Sequence, residues 1–173
     1  MKQRTGQSEA SRRQFIRRTL AGGLGVSSGL GATEQGATAQ TTNPIRSFDH
    51  VSIPLRDTDA MLSFYRSLGF TIIEGPTICA AAFGDSKLNM HRPEFWESGT
   101  FTLRAPAAEP PCGDYCFVWG ESEEALDALL ARVGAEIIEG PAPRVGGRAL
   151  GTAEGTSRYI RDPDGNLLEF IVY

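Results

Sequence analysis

The fold is decided by the C-terminal stretch Tyr159-Ile-Arg-Asp-Pro-Asp-Gly-Asn-Leu-Leu-Glu-Phe-Ile-Val-Tyr173. This pattern predicts a β-hairpin. Asp164-Gly165 is expected to form the tight turn, because both central residues of such a turn adopt positive φ. Pro163 has no N–H for a ladder hydrogen bond and therefore belongs at a strand end.

The strand after the turn alternates between two faces. One face carries Leu168, Phe170 and Val172, and the opposite face carries Glu169. A carboxylate in an otherwise apolar strand costs free energy unless something pairs with it. We expect a metal ion to be that partner.

The composition limits the classes of partner. The 173 residues carry a net charge of −4, with no long basic run outside the N-terminus, which argues against nucleic acid. Three cysteines are an odd number without metal-type pair spacing, so we interpret them as buried or free thiols, with one bridge left open. His50 and His91 are the only histidines, so chemistry that needs imidazole must use them.

The first 39 residues are expected to be a targeting segment that is not part of the folded domain. Ser11-Arg-Arg-Gln-Phe-Ile-Arg-Arg18 is a twin-arginine pattern, followed by an uncharged stretch too short to span a bilayer and by Ala37-Thr-Ala39 as a cleavage site. The order resembles a bacterial Tat signal, which predicts a periplasmic or secreted protein with no membrane contact in its mature form. Six of the 17 basic and two of the 21 acidic residues lie in this segment, so the mature chain has 11 basic and 19 acidic residues and a net charge of −8.

The rest of the chain contains an internal repeat. Ile72-Ile-Glu-Gly-Pro76 recurs as Ile137-Ile-Glu-Gly-Pro141. Before each copy, apolar residues at helical spacing end at a glycine, Gly69 or Gly134, which suits the left-handed residue that closes a helix. Asp57 or Thr58 is expected to cap the first helix and Ser122 the second.

Each unit is predicted to contain one strand, a helix and three further strands. The predicted strands of the first unit cover residues 48–55, 71–75, 78–83 and 87–91, and those of the second cover 114–119, 136–139, 157–161 and 166–173. Residues 141–156 are expected to form a Gly/Pro-rich loop, of the kind that often covers a site. The units span about 46–92 and 113–173, with residues 93–112 as linker.

Four strands carry a metal-binding type of residue opposite their apolar face. These residues are His50, His91, Asp114 and Glu169. If each apolar face packs under a helix, the opposite faces form one concave surface. Two imidazoles with one or two carboxylates suit a first-row divalent metal such as Fe, Zn, Ni or Mn, with an open coordination position for water or substrate.

The sequence resembles the vicinal oxygen chelate superfamily of glyoxalase I, extradiol dioxygenases and bleomycin-resistance proteins. The similar pieces are residues 48–53, Phe64-Tyr-Arg-Ser-Leu-Gly-Phe70 and Arg161-Asp-Pro-Asp-Gly-Asn-Leu-Leu-Glu-Phe170. Residues 87–91 and 113–117 look most like the subfamily of glyoxalase-domain-containing protein five. The resemblance implies an α+β fold of two tandem βαβββ modules that form a cupped mixed β-sheet around one metal. It also implies a homodimer, in which the cup closes within one chain or is exchanged between two.

By this resemblance the metal ligands are His50, His91, Glu169 and Asp114, and Asp114 and Glu169 are the catalytic candidates. The set departs from the known enzymes, which carry a histidine at the place of Asp114 or a carboxylate at that of His91. Several alternatives stay open: His50 as a core histidine, His91 in a solvated loop, Asp114 as a base or a strand cap, and Tyr115 in place of Asp114 if the register slips by one residue.

Arg148 and Arg144 are candidates for binding an anionic substrate. The alternative is that they are solvated charges of the loop. Tyr159 and Tyr173 are expected to be wall residues of a substrate site.

Three functions remain open at this point. The first is an exported metal-dependent enzyme (lyase, isomerase or ring-cleaving dioxygenase) for a small oxygen-chelating substrate. The second is a metal-free protein that sequesters small molecules, of the bleomycin-resistance type. The third is an interaction domain that kept the fold and lost the site.

Overall fold

The structure, a computed structural model, describes residues 44–173. The signal peptide predicted over residues 1–39 lies outside the described residues. The described residues form two four-stranded sheets with helices between their strands. In chain order the elements are β1 His50–Pro54, α1 Thr58–Ser67, β2 Thr71–Ile73, β3 Ile78–Phe83, β4 Ser86–His91, α2 Pro93–Trp96, β5 Asp114–Val118, α3 Glu123–Val133, β6 Glu139–Val145, α4 Arg148–Gly151, β7 Glu154–Arg161 and β8 Leu167–Val172.

The strand order is the same in the two sheets, which confirms the predicted α+β fold with a duplicated βαβββ module. The first sheet has the order β1-β4-β3-β2 and the second β5-β8-β7-β6. In each, the first strand lies parallel to the last, and the other neighbours are antiparallel. Each parallel pair requires a crossover, and α1 or α3 starts that crossover in its own module.

The helix ends follow the sequence signals. Asp57 and not Thr58 caps α1, since its side chain accepts a hydrogen bond from the backbone N–H of Ala60 at 3.0 Å. Ser122 caps α3 by accepting from Ala125 N–H at 3.2 Å, and each such cap stabilises a helix by about 1 kcal/mol. Gly134 closes α3 in the left-handed conformation, with φ 70°.

The core is shared by the two modules. Both helices and the apolar faces of both sheets contribute to one buried cluster. Phe117 on β5 contacts Phe70 and Phe83 of the first module edge to face, at ring distances of 5.1 and 5.0 Å. Because both sheets turn their apolar faces into this common core, their opposite faces point away from it.

The hairpin turn joins the modules. Tyr65 on α1 donates a hydrogen bond to the buried Asp162 carboxylate at 3.1 Å. Asp164 accepts hydrogen bonds from the backbone N–H groups of Arg56 and Asp57, at 2.7 and 3.1 Å. Asp164 therefore holds the start of the first helix, and Asp162 binds a residue of its last turn.

The turn itself differs from the prediction. Gly165 has φ 97°, but Asp164 does not have positive φ. The N–H of Gly165 bonds to the carbonyl of Asp162, so Pro163 and Asp164 are the central residues of a four-residue turn and Gly165 follows it. Pro163 favours this arrangement, because its fixed φ of about −65° suits the first central position of such a turn.

Two further predictions about the second module are wrong. The predicted strand over residues 136–139 begins at Glu139 and continues to Val145, and β7 begins at Glu154. The expected loop over residues 141–156 is therefore largely a second hairpin. The prolines at 141 and 143 argued against a strand here. They are compatible with β6 because it lies at the edge of its sheet, where a missing N–H is tolerated.

No helix in residues 44–173 is long and apolar enough to cross a membrane.

Candidate functional site

The open face of the first sheet presents His50 at its edge. His50 is the first residue of the edge strand β1, and its side chain is 44% exposed. Its Nδ1 lies 2.5 Å from the Asp49 carboxylate, a contact that lowers the pKa of Asp49. A carboxylate on one ring nitrogen fixes the orientation of an imidazole and raises the basicity of the other nitrogen, which is a common arrangement behind a metal-binding histidine.

His91 lies on the same face but not beside His50. In the parallel register of β1 and β4, His50 pairs with Lys87, and His91 pairs with Pro54. The two histidines are thus four residues apart along neighbouring strands, or about 13 Å at a rise of roughly 3.3 Å per residue. His91 is buried, with the rings of Phe95 and Phe101 edge-on at 5.7 and 5.1 Å.

The two sheets place different residues at equivalent positions. Past the end of each first strand, Leu55 N–H bonds to the carbonyl of His91, and Trp119 N–H bonds to that of Ile171. His91 therefore corresponds to Ile171. Counting back along the strands, His50 corresponds to Asp114, and Asn89 corresponds to Glu169.

The open face of the second sheet contains Glu169 in a group of polar side chains. Ser157 on β7 is fully buried and donates a hydrogen bond of 2.5 Å to Oε1 of Glu169. Cys116 is the register partner of Glu169 on β5. Desolvation and the adjacent Glu169 carboxylate, with a smaller effect of Asp114, raise the pKa of the Cys116 thiol to about 12.

Tyr159 continues this group toward β6. It pairs with Glu169 across β7 and β8, and its hydroxyl accepts a hydrogen bond from Nε of Arg144 at 3.0 Å. Arg144 also forms an ion pair with Glu139. Burial, together with the nearby Glu169, raises the pKa of Tyr159 despite the opposing effect of Arg144.

Arg148 and Tyr173 form a separate pair at the end of the chain. The Arg148 guanidinium lies 4.2 Å from the centre of the Tyr173 ring, and the Arg148 N–H contacts the tyrosine hydroxyl. Arg148 lies in the turn between β6 and β7, where Ala149 and Leu150 have positive φ. The contact fixes Tyr173 against this turn.

The structure thus brings together some of the predicted site residues. Glu169, Tyr159 and Asp114 lie on the second sheet, whereas His50 and His91 lie at opposite ends of the first. Within residues 44–173, no group of three or more His, Cys, Asp or Glu side chains is close enough to hold a metal ion. A single chain, over the part that the structure describes, therefore does not assemble a complete ligand set, and the four-residue metal site stays a prediction.

The strand register decides between Asp114 and Tyr115 as the site residue of β5. Tyr115 is half-buried on the core side of β5, between the exposed Asp114 and Cys116. Asp114 is accordingly the residue of β5 that shares the open face with Glu169.

Sequence reasoning missed two contributors to these faces. Ser157 bonds to Glu169, and Asp49 holds His50. Asp49 was visible as the neighbour of His50 in the sequence. Ser157 depends on which strands pair and in which register, and one sequence does not specify that pairing.

The chain belongs to the Glyoxalase/Bleomycin resistance protein/Dioxygenase superfamily. The profile of that family matches residues 47–170, nearly all of the described chain.

Individual relatives agree with this assignment. The chain is 33% identical over 147 residues to glyoxalase domain-containing protein RDO1 of Mycosarcoma maydis, covering 84% of this chain and 79% of that protein. It is 33% identical over 127 residues to virulence protein STM3117 of Salmonella typhimurium, covering 72% and 83%. The crystal structure of STM3117 superimposes with a TM-score of 0.65 at 34% identity, over 75% of this chain and 98% of that one. The crystal structure of lactoylglutathione lyase from Agrobacterium tumefaciens, at 20% identity and a TM-score of 0.56, covers 75% and 96% and has a similar fold.

Proposed function

We propose that this protein is a metal-dependent enzyme of the superfamily that acts on a small substrate with neighbouring oxygen atoms. The observation that carries the proposal is that two of the four candidate ligands have a fixed hydrogen-bond partner: Glu169 pairs with Ser157, and His50 pairs with Asp49. Such partners hold metal ligands in one orientation. A protein that only sequesters an apolar ligand does not need them.

We further propose that the site is completed by a second copy of the chain. His50 and Glu169 lie on the open faces of different sheets, and both sheets turn their other face into the common core. A twofold dimer that brings the first sheet of one copy against the second sheet of the other would place the two half-sites together, and would do so twice. This arrangement agrees with the expected homodimer.

The residues of this chain fit a divalent metal in such a dimer. One imidazole from β1 and carboxylates from β5 and β8 form a mixed N/O set that suits Fe, Zn, Ni or Mn. When bound, the metal would polarise the substrate oxygens and stabilise an oxyanion. His50 and Glu169 would hold the ion, with Asp114 at the place equivalent to His50. His91 corresponds to Ile171 and is buried among aromatic rings, which makes it the weakest member of the predicted set.

The other residues of the open face would bind and orient the substrate. Asp114 is exposed on β5, beside the Glu169 group. Where it does not bind the metal, it would accept or return a proton as a general base. Tyr159 and Arg144 would supply an O–H and a guanidinium toward substrate oxygens. Tyr173, held by Arg148, would form part of the wall.

The second candidate is a metal-free binding protein. It is favoured because, within residues 44–173 of one chain, no three His, Cys, Asp or Glu side chains lie close enough together to hold a metal ion. Export through the Tat pathway, and hence a periplasmic or secreted location, is proposed for either candidate on the basis of the N-terminal sequence alone.

Elemental analysis of the purified full chain, combined with its oligomeric state, tests the proposal. We expect about one divalent ion per chain in the dimer, and loss of that ion in both His50→Ala and Glu169→Ala. Lys87→Ala, on the same face as His50, is the matched control and should keep the metal. A dimer that takes up no metal on reconstitution with Fe, Zn, Ni or Mn would refute the metal-dependent enzyme and leave the two metal-free functions.

A further inference from the structure

The segment between the two modules lines a cavity that is open to solvent and that the proposed site does not use. Its volume is about 360 Å³, which lies at the lower end of the range for small-molecule pockets. The lining residues are Trp96, Gly99, Phe101, Thr102, Arg104 and Pro106.

The walls of this cavity are flat, apolar and fixed in place. Trp96 donates its indole N–H to the carbonyl of Leu55 at 2.8 Å, which anchors the ring to the first sheet. Phe101 stacks on Phe95, with ring centres 4.2 Å apart and planes 28° apart, and lies edge-on to His91. Aromatic walls of this kind favour a planar, apolar guest.

Arg104 gives the cavity a single cation. Its guanidinium lies 5.5 Å from the centre of the Trp96 ring, and Nη1 donates to the carbonyl of Ala108 at 2.8 Å. None of the ion pairs in residues 44–173 involves Arg104. The nitrogens that do not bond to the carbonyls of the linker therefore lie at the wall without a carboxylate to neutralise them.

His91 contacts Phe101 but is not among the residues that line the cavity. Arg104 is the one charged side chain of the lining.

We propose that this cavity binds a small aromatic carboxylate, with the ring against Trp96 and Phe101 and the carboxylate on Arg104. A guanidinium can bind a carboxylate through two parallel hydrogen bonds, which a neutral isostere cannot reproduce. The cavity is distinct from the metal site proposed above, because His91, which contacts Phe101, lies about 13 Å along the sheet from His50 at a strand rise of roughly 3.3 Å.

Benzoate is the probe, and the full chain is used with a chelator present, so that the result does not depend on metal binding. The sequence contains two tryptophans, so Trp119→Phe leaves Trp96, in the wall of the cavity, as the single tryptophan. We expect a saturable change of Trp96 emission with benzoate, and binding by calorimetry with a dissociation constant below about 1 mM. Benzamide, which is neutral and of the same shape, should bind at least about tenfold more weakly.

Two variants distinguish the effect of the Arg104 charge on benzoate binding from the effect of a changed linker structure. Arg104→Gln should weaken benzoate binding at least about tenfold. Because this change also removes the bond to Ala108, Thr102→Glu is the second variant: it keeps Arg104 and places a carboxylate in the lining, and it should weaken benzoate binding to a similar extent. Ala107→Glu, exposed and outside the lining, is the matched control for charge and should bind like the parent chain.

Three results would overturn the proposal: no saturable binding of benzoate up to about 10 mM, equal binding of benzamide, or equal weakening by Thr102→Glu and Ala107→Glu. The first would leave the cavity without a ligand of this class. The second would show an apolar pocket without charge selection, and the third would show only long-range repulsion.

Discussion

Ser157 and Glu169 lie diagonally across the antiparallel strands β7 and β8 and share a hydrogen bond of 2.5 Å, in which the buried hydroxyl donates to Oε1. The serine is fully buried, whereas the glutamate is only half-buried. The hydroxyl thus holds one oxygen of the Glu169 carboxylate in a fixed position. We regard Ser157 as a positioning residue for Glu169.

Replacing Ser157 with Ala tests this relationship. We expect the free energy of unfolding to fall by about 1 kcal/mol, since one hydrogen bond is lost. If Glu169 binds the proposed metal, the metal affinity should fall about 10- to 100-fold, because the carboxylate is no longer held in one orientation. Calorimetric titration with Ni²⁺ or Zn²⁺ measures the second effect. Ser63→Ala, on the exposed side of α1, is the control and should change neither quantity. An unchanged metal affinity in a folded Ser157→Ala protein would contradict the positioning role.

Mixing two defective chains tests whether the site is shared between copies. His50→Ala and Glu169→Ala are each expected to lose the metal. In a dimer whose sites each take His50 from one copy and Glu169 from the other, every mixed dimer has one intact site and one doubly defective site. After random exchange of subunits, about a quarter of all sites should bind metal again. Recovered metal content after unfolding and refolding the mixture is the measurement, and no recovery at all would show that both residues act within one chain.

Arg158 provides a prediction about stability that is independent of the metal. Its side chain is 4% exposed and binds Asp127 through Nε and Nη2, at 2.8 and 3.0 Å, and Glu123 through Nη1 at 2.7 Å. Asp127→Ala leaves a buried guanidinium with one partner fewer, so we expect a loss of about 3 kcal/mol in the free energy of unfolding. Arg66 and Glu74 form the matched exposed pair at 3.1 Å, and Glu74→Ala should cost less than about 1 kcal/mol. Urea unfolding of both variants measures the difference, and equal losses would mean that burial of Arg158 does not strengthen its ion pairs.

The raised pKa of Asp162 predicts that the stability of the fold depends on pH. Burial raises the pKa of this carboxyl, although hydrogen bonds from Asn166 and Tyr65 oppose the shift. A carboxyl whose pKa is higher in the folded than in the unfolded chain contributes stability that is fully present below the unfolded value of about 3.9 and is lost as the pH rises through the folded value. The free energy of unfolding of the parent chain, relative to Asp162→Asn, should therefore decrease as the pH rises above about 4.

The measurement is urea unfolding of the parent chain and Asp162→Asn over a series of pH values. Asp59→Asn, on the exposed first turn of α1, is the control and should follow the parent chain. A difference that grows with pH would contradict the sign of the Asp162 shift.

The helices and the strand faces were accessible from sequence for a local reason. Apolar periods of 3.6 and 2 residues mark which side of an element is buried, and caps such as Asp57 and Ser122 mark its ends. Those signals predicted both modules and the strand face on which His50 lies. They failed at β6, where prolines in an edge strand were interpreted as a loop.

The sequence by itself determined the duplicated α+β fold, the family, and the faces on which His50, Asp114 and Glu169 lie, because strand alternation and turn residues act over a few positions. Only the tertiary structure decided which residues meet. The parallel register of β1 and β4 separates His50 from His91, and the pairing of β7 with β8 gives Glu169 its partner Ser157. Burial of both sheets in one core turns their open faces away from it, and this long-range packing has no signature in a short stretch of sequence.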